Sequence, residues 1–279
     1  MDYGVCMFPT EYSIAPDELA RALEERGFDS VFFPEHTHIP ASRKSPWPGG
    51  DKLPRDYWST YDPFVALMAA GAASRTLKLG TGICLVVERD PITTAKEVAT
   101  LDRLSGGRFL FGIGGGWNAE EMAHHGTDYK LRWRVMRERI LAMKELWTKQ
   151  EAEYHGQYVN FEKSWADPKP WQKPHPPILM GGNGDKTFER IVEYGDGWMP
   201  ILRPNKNPVD RIPELQARLR EAGRDPKSVP VSICFAPSKR AELDAMQKAG
   251  VQRAIFGLPS APRDIVLRLL DGHAAVMRS

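Results

Sequence analysis

The sequence is short of the features that would take it out of the class of ordinary globular enzymes. It holds three cysteines in 279 residues. Cys6, Cys84 and Cys234 each sit in an apolar, strand-like run, with no paired spacing between them. That excludes a disulfide framework and predicts reduced core residues. Neither charge sign dominates: 38 Lys+Arg against 36 Asp+Glu leave a formal charge of +2, and the signs are interspersed. A nucleic-acid stripe or an anionic-membrane patch needs more than this. No apolar run approaches the length of a membrane span. The first residues enter a strand without the charged, apolar and cleavable pattern of a signal peptide, so the expected location is the cytoplasm. The dinucleotide fingerprint is also missing, because Gly112-x-Gly114-x-Gly116 brings its third glycine one residue too early.

What is present centres on residues 104–121. Ser105-Gly106-Gly107 supplies the left-handed glycine that ends a helix, and residues 108–113 read as a short buried strand. Gly114-Gly115-Gly116 then strips every side chain from the turn into a new helix at Asn118. A planar ring or a phosphate suits such a backbone surface, and a tight strand-to-helix turn explains the same glycines.

Strand patterns recur at residues 3–8, 28–33, 77–84, 108–113, 177–180, 197–200, 229–235 and 251–256, alternating with amphipathic or proline-started helices. Eight β–α alternations predict an α/β chain folded as one (β/α)8 TIM barrel over residues 1–279. A doubly wound open sheet is the alternative. A long loop, residues 39–60, follows strand two, and a small hairpin excursion near residues 154–167 follows strand four and its helix.

A barrel of this kind gathers its chemistry at the C-terminal ends of the strands. The rule brings together Glu35 and His36, Gly82 to Cys84, Gly114 to Trp117, and Gly181 to Asp185. His36 is the candidate general acid/base, with Glu35 tuning or anchoring it; a structural histidine at a strand end fits the same spacing. Gly181-Gly182-Asn183-Gly184 before a helix reads as a phosphate cradle. His36-x-His38 invites a metal reading, but His124, His125, His155 and His175 fall on helical or excursion segments. No metal is expected.

At this point the chain resembles the bacterial luciferase-like superfamily of flavin- and deazaflavin-dependent oxidoreductases. The residues that carry the likeness are 28–31 with Glu35-His36-Thr37-His38-Ile39-Pro40, Leu79-Gly80-Thr81-Gly82-Ile83, residues 101–108, Gly112-Ile113-Gly114-Gly115-Gly116-Trp117, and Gly181-Gly182-Asn183-Gly184 with Gly195-Asp196-Gly197-Trp198. The resemblance implies a barrel, usually dimeric, that binds FMN or coenzyme F420. It implies a non-prolyl cis peptide at Gly82 and Ile83 supporting one face of the ring. Gly114, Gly115, Gly116 and Trp117 would line the ring and its side chain. Gly181, Gly182, Asn183 and Gly184 would take the phosphate. His36 matches a histidine with an acid/base role in the deazaflavin-dependent dehydrogenases, and Glu35 stands where they carry an aspartate. Trp117 departs from the acidic residue of a deazaflavin sugar-phosphate dehydrogenase, which argues against a sugar phosphate as substrate.

The resulting expectation is hydride transfer between coenzyme F420 and a small organic substrate, with His36 handling a proton; the loop 39–60 either covers the pocket or is an ordinary solvated insertion. The alternatives are an FMN-dependent monooxygenase fed by a separate reductase, a flavin- or deazaflavin-binding barrel without catalysis of its own, and a metal-dependent barrel hydrolase.

Overall fold

The computed structural model describes residues 1–203 and 207–279. Ten strands form: β1 (Asp2–Cys6), β2 (Ser30–Phe33), β3 (Lys78–Thr81), β4 (Phe109–Ile113), β5 (Ala152–His155), β6 (Asn160–Ser164), β7 (Ile178–Gly181), β8 (Gly197–Met199), β9 (Ser232–Cys234) and β10 (Arg253–Gly257). Eight of them pair in the order β8-β7-β4-β3-β2-β1-β10-β9, every pair parallel. Two isolated parallel bridges, Trp198 to Val231 and Ile201 to Cys234, join the outer strands of that order. The sheet is thereby closed into the predicted barrel.

Strands buried on both faces must be apolar throughout, and β2 (SVFF) and β4 (FLFGI) are buried at every residue. Their period of two divides the core. Val31 and Phe33 point outward to the helices while Phe32 points inward. Phe32, Leu110, Leu179, Met199 and Ile255, with Cys6 and Cys234, fill the barrel interior. All three cysteines are buried and unpaired, as their apolar setting predicts.

Among the described residues ten helices accompany the ring: α1 (Pro16–Glu25), α2 (Asp56–Ser59), α3 (Pro63–Ala72), α4 (Pro91–Leu104), α5 (Ala119–His124), α6 (Arg132–Thr148), α7 (Asp185–Tyr194), α8 (Ile212–Glu221), α9 (Arg240–Lys248) and α10 (Arg263–Arg278). Local chemistry starts and stops them. Asp62 and Asp90 cap α3 and α4 ahead of Pro63 and Pro91, and Asn118 caps α5 through the amides of Glu120 and Glu121. Past α4, Gly106 and Gly107 stand at φ +69° and +81°, and their amides return to Arg103 and Asp102. The excursion is an antiparallel β5–β6 hairpin.

Boundaries differ from the sequence reading where proline intervenes. The expected strand 229–235 shortens to β9 because Pro230 has no N–H to donate; its carbonyl instead accepts from the Trp198 amide at 2.9 Å. No described helix is long and apolar enough to cross a membrane.

Candidate active site

The loops after β2, β3, β4 and β7 meet at one end of the barrel. The Gly82–Ile83 peptide is cis, at the two positions the resemblance indicates. Ile83 lies between two glycine turns: a Cβ on Gly114 would strike Ile83 Cδ1, and one on Gly181 would stand 3.3 Å from Ile83 Cγ2. The three glycine segments are therefore adjacent in space.

His36 stands beside them, 9 % exposed. Its Nδ1 lies 2.7 Å from Glu121 Oε2, and Glu121 is fully buried. The indole N–H of Trp117 donates to His36 Nε2 at 3.3 Å. These contacts fix the tautomer: Nε2 accepts, so Nδ1 carries the proton and donates to Glu121. Glu121 Oε1 also accepts the Thr37 amide at 3.2 Å. Tyr57 packs on the imidazole with ring centroids 5.3 Å apart, and Trp47 meets Tyr57 at 5.5 Å. The long loop thus reaches the histidine, as expected of a cover. Residues 42–45 dock on α5, where Glu120 accepts from Ser42 Oγ and from the Ser45 amide. The Arg43 guanidinium lies 5.8 Å from the centre of the Trp117 ring.

Glu35 corrects the sequence reading. It does not anchor His36. Its carboxylate accepts the Leu85 amide at 2.6 Å and Arg89 Nε at 2.5 Å, and Arg89 also binds Asp62 and Glu97. Glu35 so ties the β2 loop to the segment after Gly82–Ile83. The anchor of His36 is Glu121, 85 residues away in sequence, which sequence reasoning missed. Its only signal is an acid beside Met122 on the face of α5 that turns inward.

The glycine turns are also shaped by the protein packed against them. Cβ atoms on Gly115 and Gly116 would meet Trp133 at 2.7 Å and Met122 at 2.8 Å. Protein packing beneath the turn is by itself enough to favour glycine at these two positions. At the second turn, Gly182 has φ +108° and Gly184 has open space where a Cβ would stand. No side chain caps α7, which leaves a helix N-terminus suited to an anion. Asn183 is committed elsewhere, since its side chain donates to the Ile201 carbonyl and accepts the Ile201 amide.

The histidines assigned to separate segments come together as well. His38 Nε2 lies 2.8 Å from His124 Nδ1, and Thr37 Oγ1 joins His38 and His125. Burial, then His38, lowers the pKa of His125. Among the described residues, the group of three or more ligand atoms close enough to share one ion is Glu153, His155 and Glu162, exposed on the hairpin.

Comparison with known proteins fits this arrangement. An uncharacterised protein of Mycobacterium tuberculosis is 42% identical, over 99% of this chain and 98% of its own. The F420-dependent hydroxymycolic acid dehydrogenase of the same species is 27% identical over 81% of this chain and 57% of its own. Among solved structures, the monooxygenase RslO1 of Streptomyces bottropensis superposes with a TM-score of 0.79 at 21% identity, over 100% of this chain and 99% of that one. An F420-dependent secondary alcohol dehydrogenase, solved with an F420-acetone adduct, gives 0.76 at 19% identity, over 99% and 98%. The luciferase-like monooxygenase family model matches residues 16–270; with a parallel barrel whose β2, β3, β4 and β7 loops meet at one end, the chain belongs to that family.

Proposed function

We propose that this chain is an oxidoreductase that passes a hydride between coenzyme F420 and a small organic substrate, with His36 exchanging the accompanying proton. The observation that carries the reading is the His36–Glu121 pair, held beneath Trp117 and Tyr57 beside the Gly82–Ile83 segment. The uncapped N-terminus of α7 and the open face at Gly184 fit the phosphate of such a coenzyme through backbone N–H groups. The side chain of Asn183 takes no part in that cradle. Gly114, Gly115, Gly116 and Ile83 bring backbone close to the place the ring would occupy. Bound there, the coenzyme supplies the hydride acceptor or donor.

The chain's own work is proton handling, orientation and water exclusion. His36 Nε2 is the unprotonated nitrogen of the ring, and its lone pair becomes available to substrate when the Trp117 indole N–H gives way. It accepts the proton of a substrate hydroxyl as the adjacent C–H leaves as hydride, and it returns the proton in the reverse direction. Glu121 supports the positive imidazolium that forms. The Trp117 indole N–H stands where the substrate hydroxyl would donate. Glu35 and Arg89 brace the β3 loop from behind.

The second reading, an FMN-dependent monooxygenase with a separate reductase, is favoured by the likeness to RslO1. Titration of the purified protein with coenzyme F420 and with FMN, followed by fluorescence quenching and melting temperature, separates the two. Tighter binding of F420 and turnover with that coenzyme alone support the proposal. Preference for FMN with oxygen-dependent turnover replaces it with the second reading, and binding of neither removes both. We also propose that the chain works as a homodimer in the cytoplasm.

A further inference from the structure

A second acid lies behind Glu121 and has no role in the chemistry above. Glu88 ends the short 3-10 turn Val86–Glu88 and is 7 % exposed, yet neither of its oxygens meets an N–H or O–H donor. Its carboxyl adjoins that of Glu121. Its Oε1 also lies 3.8 Å from the place of a Cβ on Gly116, under the turn that carries Trp117. Two buried carboxylates side by side repel strongly, and one proton between them turns the contact into an O–H···O⁻ bond.

The location of that proton follows from the other partners. Glu121 already accepts from His36 Nδ1 and from the Thr37 amide. Glu88 has no such donor. The charged and titratable groups around Glu88 are Glu35 from the β2 loop, Glu121 and His125 from α5 and its end, Arg139 from α6, and Arg89 and Asp90 from its own segment. Arg89 is engaged by Glu35, Asp62 and Glu97, and Arg139 Nη1 donates to the Val86 carbonyl at 2.9 Å. Burial, with Glu121 and Glu35 next in order, pushes the Glu88 carboxyl up to about 9.

We propose that Glu88 is a positioning residue for His36: as a neutral carboxylic acid it donates its O–H to Glu121 and so fixes that carboxylate against His36 Nδ1. The inference rests on His36 as the proton-exchanging residue. Both Glu88 oxygens are shut away from solvent, and a way out for the proton is a polar recess of about 350 Å³ lined by Glu88, Asp90, His125, Arg139, Tyr158 and Asn160 among others. When its proton leaves by that route, Glu121 loses a donor and gains a repelling neighbour. His36 then loses its fixed partner.

The first test needs neither coenzyme nor substrate. An infrared difference spectrum between the wild type and Glu88→Gln at neutral pH should contain the carbonyl stretch of one neutral carboxylic acid, bleaching as pH passes about 9. A spectrum without that band overturns the proposal, whatever the enzyme's substrate proves to be. The second test is kinetic. Glu88→Ala should lower kcat roughly 10- to 100-fold with little change in KM, the cost of one charge-assisted hydrogen bond. Glu88→Gln, whose amide N–H can donate to Glu121, should recover most of that loss and abolish the alkaline fall of kcat. A Gln variant as impaired as Ala, or one that keeps the wild-type alkaline fall, overturns it. Failure of the proposed function would instead show as no turnover in any variant with the infrared band intact.

Discussion

At the scale of single residues, His36 and Glu88 make opposite demands on solvent. His36 must exchange a proton with something bound at the barrel mouth, so its loss should damage turnover more than binding. His36→Ala is expected to lower kcat roughly 10²- to 10⁴-fold, the usual worth of a general acid/base, while the dissociation constant for the coenzyme changes little. Steady-state kinetics beside fluorescence titration would separate the two, and unchanged kcat would remove His36 from the reaction. Glu88 acts on stability. In the unfolded chain its carboxyl has its ordinary value of 4.5, and in the folded protein burial, then Glu121, pushes it up to about 9. Between these values the folded state holds the extra proton, so the stabilisation is complete below about 4.5 and is lost as pH rises through 9. Glu88→Gln has no such proton. Its melting temperature relative to the wild type should therefore climb steadily from about pH 5 to pH 9, and parallel curves would show that Glu88 does not carry the proton.

At the scale of elements, the glycine turns after β4 and β7 look alike in sequence and differ in what they tolerate. A Cβ on Gly114 would stand 2.4 Å from Ile83 Cδ1, so the Ile83 side chain has to turn aside to admit it. Gly114→Ala should destabilise the protein by about 1–3 kcal/mol, the cost of overpacking, and disturb the β3 loop. Gly184 has open space and an ordinary extended backbone, with φ −81° and ψ 161°. Gly184→Ala should stay within about 0.5 kcal/mol of the wild type. Urea denaturation of the pair checks both, and equal losses would refute the distinction. Helix ends, strands and turns were legible in the sequence because glycine, proline and capping residues act within a few positions of themselves. The partner of His36 was not, because the bond to Glu121 joins residues far apart in the chain. Glu35 was misassigned for the same reason: adjacency in sequence at the end of β2 sends neighbouring side chains to opposite sides, one toward Trp117 and the other toward Arg89. The histidines of α5 looked remote from His38 until the barrel brought α5 alongside the β2 loop.

At the scale of the whole molecule, α3 and α4 leave an apolar groove of about 650 Å³ on the outside of the barrel, lined by Phe64, Val65, Met68, Leu101 and Leu104 among others. Val65 is 72 % and Leu104 66 % exposed, unusual for large apolar side chains on neighbouring helices. If the protein is a homodimer built on this face, Val65→Arg combined with Leu104→Arg should halve the mass seen by sedimentation and leave the far-ultraviolet circular dichroism unchanged. A wild type that sediments as a monomer would remove the dimer from the account.

The closure of the barrel has a consequence for how the molecule moves. Seven of its joints are hydrogen-bonded ladders, while the eighth, between β8 and β9, rests on two isolated bridges. Deformation of such a ring is expected to be relieved first at this gap. The amides of Trp198, Leu202 and Cys234, which bond across that gap, should exchange with deuterium ahead of those in β2 and β4. Because Asn183 is fastened to Ile201 at the lip of the same gap, loosening there is expected to reach the turn proposed to hold the phosphate.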